Sequence, residues 1–177
     1  MSEQNNIPLT RFESMLKTNN VYFFDSSEFE DIIHYYLNNG KIALAKKATK
    51  LGLEQHPTFT NLKLFQVEMF IFENELEIAE ELLENIYLLE QFNEEVFIQK
   101  ANILSRRDKH LEAIKMLEKA HNLSTEPSDV LSLIGMEYLF LEDFENAKKY
   151  FIQCLFEDSE DFSALYNIIY CFEIALY

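Results

Sequence analysis

Ala45, Ala79, Ala113 and Ala147 stand 34 residues apart, and no other feature restricts the fold of this chain as much. A fixed period of this length is the mark of stacked supersecondary units. Four further columns keep the same step. Tyr36, Phe70, Leu104, Tyr138 and Phe172 are large and apolar, and Ile33, Val67, Ala101, Gly135 and Ile169 are mostly small or β-branched. Thr49, Leu83, Leu117 and Phe151 make the next column, and Gly52, Ile86, Ala120 and Cys154 the last.

Each period reads as two helices, because its apolar residues recur at about 3.6. In the fourth period the first helix should bury Leu131, Ile134, Gly135 and Tyr138. A turn follows near Glu142 and Asp143, and the second helix should bury Phe144, Ala147, Phe151 and Cys154. Small side chains are needed where two helix backbones approach closely, which accounts for the alanine column. Only three Gly and three Pro occur in 177 residues, so long helices with short connections are expected.

These residues resemble the tetratricopeptide repeat: a 34-residue unit, a small-then-aromatic pair in the first helix, and Ala with a large apolar residue four later. Pro57 matches the closing proline of that family. The chain departs from it in having no Trp; Phe29, Lys63, Phe97, Leu131 and Leu165 stand at the early aromatic position. Gln66 and Lys100 occupy an apolar position, so the second unit is the least typical and its helix face is open to rotation. The stretch from Val21 to Lys41 is similar to uncharacterised tetratricopeptide proteins of Bacteroidetes, hence a bacterial expectation. The resemblance implies an all-α, right-handed superhelical solenoid of antiparallel helix pairs. It predicts a tail and capping helix over 1–25 and an array over 26–177. The array divides into units at 26–59, 60–93, 94–127 and 128–161, with the first helix of a fifth at 162–177.

Residues 1–6 are polar and expected to be disordered. Thr10 and Glu13 have capping-box spacing, so a short helix is expected from Arg11 to about Lys17. Asp25, Ser26 and Ser27 signal the next helix start. The run from Val21 to Phe24 reads either as a cap on the first repeat or as a segment that enters the array's own groove and competes with ligands. The last helix is apolar nearly all round. Two explanations stand for it: the chain is a fragment of a longer array, or a second copy covers this end as a homo-oligomer.

The chain carries 31 Asp and Glu against 15 Lys and Arg, a net charge of −16. That charge repels phosphate backbones and anionic lipid heads, so neither nucleic acid nor membrane is an expected partner. The N-terminus has no signal-peptide pattern and no run reaches the length of a membrane span, so a cytoplasmic location is expected. Cys154 and Cys171 lie on apolar stretches without zinc spacing and read as reduced core thiols.

No catalytic constellation emerges. His34, His56, His110 and His121 have no ligand partner at i+3 or i+4, and no phosphate loop or nucleophile elbow occurs. Neither an enzyme nor a bound metal or cofactor is expected. Family register places the working surface on the first helices of the units, which line a concave groove. The candidate partner-binding residues are His34 and Leu37 in the first unit, and Leu64, Glu68, Ile71 and Phe72 in the second. Ile98 and Asn102 follow in the third, Met136, Leu139 and Phe140 in the fourth, and Tyr166 and Tyr170 on the last helix. So apolar a set reads as an interface, or else as a register off by one or as residues that neighbouring helices partly cover. Family members that grip a C-terminal carboxylate use Lys, Asn and Arg in this groove. Here those positions hold Glu30, His34, Phe65, Glu95 and Gln99, which argues against that clamp. The expected function is a non-catalytic scaffold that binds a peptide or protein; the alternative is a structural or self-associating segment of a longer repeat protein.

Overall fold

The computed structural model describes residues 7–18, 20–125 and 127–174, so the tail expected to be disordered at 1–6 lies outside the described residues. Among the described residues every element is a helix. They are α1 (Ile7–Thr18), α2 (Ser26–Asn38), α3 (Ile42–Gln55), α4 (Thr60–Phe72), α5 (Leu76–Tyr87), α6 (Glu94–Arg106), α7 (His110–His121), α8 (Pro127–Phe140), α9 (Phe144–Glu157) and α10 (Phe162–Ile174). The chain forms two compact units, Met1–Phe70 and Ile71–Tyr177.

All four ladder alanines are fully buried. Gly135 shows why the positions near them stay small: a Cβ built there would lie 2.7 Å from the Phe151 ring. The turns inside the pairs repeat as strictly. Gly40, Asn74, Asp108 and Glu142 all have positive φ, between 56° and 67°, at the same 34-residue step. Gly40 N–H donates to Leu37 O and Lys41 N–H to Tyr36 O, and Asp108, Lys109, Glu142 and Asp143 repeat the pattern. Each such turn is a helix C-terminal motif in which one left-handed residue lets two amides satisfy the last carbonyls.

In the first unit Phe12, Phe24, Phe29, Ile32, Ile33, Tyr36, Ala45 and Ala48 share one core with Leu62 and Met69. α1 is longer than the sequence suggests. It starts at Ile7, so Thr10 lies inside the helix and does not cap it. The Asp25 start is as expected: its amide donates to Glu28 Oε2 at 2.9 Å. Residues 20–25, ahead of α2, belong to no helix, and side chains satisfy part of their backbone. Gln55 accepts from Phe24 N–H (3.0 Å) and donates to Tyr22 O (2.9 Å), while His56 Nε2 donates to Phe24 O (2.7 Å) and Arg11 to Phe23 O (3.1 Å). Phe24 itself is fully buried against Phe12 and Phe29.

In the second unit one cluster joins α6, α7 and α8 through Phe97, Ala101, Ala113, Leu117, Ala120 and Ile134. The next joins α8, α9 and α10 through Leu131, Ala147, Phe151, Cys154, Ala164, Ile168 and Cys171. Both thiols are buried and free. Burial pushes the Cys154 thiol up to about 11 and raises that of Cys171.

Candidate partner-binding surface

Eleven of the thirteen candidate residues fall into three groups, and the polar Glu68 and Asn102 are half-buried. Leu64 and Ile71 are buried, at 5% and 6% exposure, and this corrects their assignment to a binding surface. The physical reason lies in α4, which buries Leu62, Leu64, Val67, Met69 and Ile71. Those positions run round the helix rather than along one stripe, so no single register describes it. Leu37, Ile98 and Leu139 are half-buried and pack against their core clusters. The exposed group is His34, Phe72, Met136, Phe140, Tyr166 and Tyr170.

In the first unit His34 meets the edge of Phe65, ring centroids 4.9 Å apart, and Asn61 donates to Glu30 Oε1 across α4 and α2. Glu68 is half-buried on α4. In the second unit a polar ladder runs along α6. Asn102 donates to Gln99 Oε1 (3.3 Å), and Gln99, itself buried, donates to Glu95 Oε1 (2.6 Å). Consecutive i, i+4 and i+3 spacings put these three side chains on one face.

α8 and α10 carry the apolar part. Met136, Phe140, Tyr166 and Tyr170 are 37% to 69% exposed. Asn167 on α10 reaches Met136 Sδ on α8 at 4.0 Å, which ties the two helix faces together. Phe140 stacks on His110, centroids 5.1 Å apart and planes 17° from parallel. Beneath that stack His110 Nδ1 donates to Glu137 Oε2 at 2.8 Å. Glu137 is 8% exposed, and its bond to His110 links α8 to the start of α7.

This His–Glu–Phe arrangement was not legible in sequence, where His110 shows only the lack of a ligand partner at i+3 or i+4. Its partners come from the following repeat, 27 residues on for Glu137, and neither helical period nor motif spacing connects them. Chemically the surface offers aromatic faces, a thioether and amide groups. Among the described residues no group of three or more His, Cys, Asp or Glu side chains is placed to hold a metal ion. No described helix is long and apolar enough to cross a membrane.

Helix pairs of similar length, alanine-seamed and joined by matching turns, define the class of helical-repeat proteins. The model of the tetratricopeptide repeat matches residues 128–158 of the chain. Solved structures share the fold across most of the chain. TTC0263, a thermophilic TPR protein of Thermus thermophilus, superposes with a TM-score of 0.75 at 15% identity, over 93% of this chain and 88% of that one. PilF of Pseudomonas aeruginosa gives 0.67 at 21% identity, over 85% and 68%. The first TPR of Spaghetti (RPAP3), bound to the HSP90 peptide SRMEEVD, gives 0.59 at 15% identity, over 67% and 94%. No curated protein matches the chain.

Proposed function

We propose that this protein binds a peptide or protein segment on the first-helix faces of its repeats, and that the ligand is apolar with basic flanks. The observation that carries this reading is the exposed set of Met136, Phe140, Tyr166 and Tyr170 on the joined faces of α8 and α10. Exposed aromatic and Met side chains gathered on one face are the composition of an interface rather than of a solvated helix. Around them residues 71–177 hold 23 acidic against 8 basic side chains, so a cationic ligand is attracted and an anionic one repelled. Phe72, Ile98, Asn102 and Leu139 belong to the proposed surface of the same unit. His34, Leu37 and Glu68 are the corresponding candidates of the first unit. The array boundaries set out above, from 26 onward, are part of the same proposal, as are a cytoplasmic location and a non-catalytic role.

A peptide library displayed on phage and selected on the protein tests it. Enriched sequences should combine large apolar residues with Lys or Arg. The double substitution Phe140→Ala with Tyr166→Ala should abolish enrichment while leaving helical circular dichroism unchanged. Enrichment that survives the pair would remove this face from consideration. The acidic-tailed peptide seen on the RPAP3 repeat should show no binding here, because Glu95 and Gln99 present an acidic, ladder-bonded face in place of cations.

A further inference from the structure

In the third repeat a ring is missing. Two positions twelve residues apart, one on each helix of a repeat, are held by Tyr36 and Ala48, Phe70 and Leu82, Leu104 and Met116, and Tyr138 and Tyr150. Three of these pairs carry at least one aromatic ring. In the fourth repeat the two rings stack, centroids 5.5 Å apart and planes 18° from parallel. Leu104 and Met116 bring no ring, and there α5, α6 and α7 leave a cleft of about 90 Å³. Buried Leu83 and Ile103 form its floor and half-buried Leu104 and Met116 its walls. Glu80, Glu84 and Lys100 stand on its rim.

Size and lining select an aromatic occupant. A closed apolar cavity of ~150 Å³ admits a whole benzene ring, so a smaller cleft open to solvent takes the edge of one. The Met116 thioether favours a ring over an alkyl chain. The banks of the cleft select the charge beside that ring. Residues 71–99, which include all of α5, hold nine acidic side chains and no Lys, Arg or His. On α7, by contrast, Lys115 and Lys119 balance Glu112 and Glu118. The cations that reach the α5 bank are already paired: Lys100 Nζ lies 2.8 Å from Glu84, and Arg107 lies 3.0 Å from Glu80 and 3.5 Å from Glu77. A basic group beside the ring is therefore attracted to α5. Leu88 stands one turn past Glu84 on the same bank, its amide bonded to Glu84 O (3.0 Å), and is 69% exposed. The apolar surface thus runs on beyond the cleft, which suits a peptide segment better than a lone solute. A repeat contacts only its neighbours, so a unit stacked beyond α10, with α8 and α9 in between, does not reach the cleft. A second copy is disfavoured as occupant because it brings another −16.

We propose that the α5–α6–α7 cleft receives one aromatic side chain from a segment of a partner protein, with Lys or Arg beside that residue lying along α5. The cleft uses other helices than the α8–α10 face assigned to the peptide ligand, and a different methionine reports on each. The probe is the peptide acetyl-Lys-Phe-Lys-amide, titrated into the full chain with carbon-13 on its methionine methyls. The Met116 methyl should shift saturably and show a nuclear Overhauser contact to the peptide's ring protons. Acetyl-Lys-Ala-Lys-amide should leave that methyl unmoved. Acetyl-Glu-Phe-Glu-amide should bind at least about fivefold more weakly at low salt. Leu104→Phe returns a ring to the position that Phe70 holds in the second repeat, and should abolish the Met116 response with helical circular dichroism unchanged. Should that variant not fold, the ring contact in the unaltered chain decides. A response at Met136 without one at Met116 would put the peptide on the α8–α10 face, overturning the cleft while leaving that reading in place. Equal responses to the three peptides, a missing ring contact, or a Met116 response that survives in folded Leu104→Phe would overturn the proposal as well. So would a Met116 signal that moves with protein concentration alone, since a second copy would then fill the cleft.

Discussion

Glu142 occupies a backbone conformation that suits it poorly. Its counterparts at the same turn are Gly40, Asn74 and Asp108, residues that reach positive φ at little cost, whereas Glu has no such tolerance. Glu142→Gly should therefore raise stability by about 0.5–1 kcal/mol in urea denaturation, and Gly40→Ala should lower it by about as much even though no atom lies within 4 Å of the added methyl. Gly135 is governed by space instead. Gly135→Ala should cost about 1–3 kcal/mol, and Phe151→Leu in the same molecule should recover part of the loss by recreating the Ala101 and Leu117 combination. Two additive losses would show that the size relation between the columns is coincidental.

At the scale of elements, the non-helical stretch before α2 behaves as a strap held by side chains. The Gln55 amide satisfies both an N–H and a C=O of that stretch. Gln55→Ala leaves both groups without their partner and should cost about 1–3 kcal/mol, with faster hydrogen exchange at the Phe24 amide as the local signature. Unaltered exchange would mean that burial of Phe24 alone fixes the strap. The other informative element is α4. Its sequence carries the second repeat, yet it buries residues around its circumference, and for this reason a single family register places the buried Leu64 and Ile71 on the groove side.

The whole molecule is unevenly charged: residues 1–70 carry net −1 and residues 71–177 net −15. Self-repulsion in the second unit should make its unfolding salt-sensitive, with the thermal midpoint rising between about 0.01 and 0.15 M salt as the screening length shortens. The core also fixes a response to alkali. Burial, with the nearby Glu13 carboxylate, pushes the Tyr36 phenol up to about 12, and burial holds Cys154 near 11. Both groups keep their protons more tightly folded than unfolded. Their contribution is complete below the unfolded values of 9 and 10 and is lost as pH rises through 11 and 12. Urea midpoints measured from pH 8 to 11 should thus fall, and Cys154→Ala should remove the earlier part of the decline.

The 34-residue step, the helix pairs, the alanine seam and the α2 start signal were all readable in the sequence, because local period and side-chain volume dictate them. The positive-φ column was present too, but Gly, Asn, Asp and Glu look unrelated until the backbone shows their shared conformation. Tertiary structure alone decided the rest. Which face of α4 is covered, that Glu137 lies buried under the Phe140–His110 stack, and that Gln55 serves as the partner of the non-helical segment before α2 all depend on side chains brought together from different elements. No period in one helix can encode the surroundings that another provides, and for that reason the fold was legible where the surface was not.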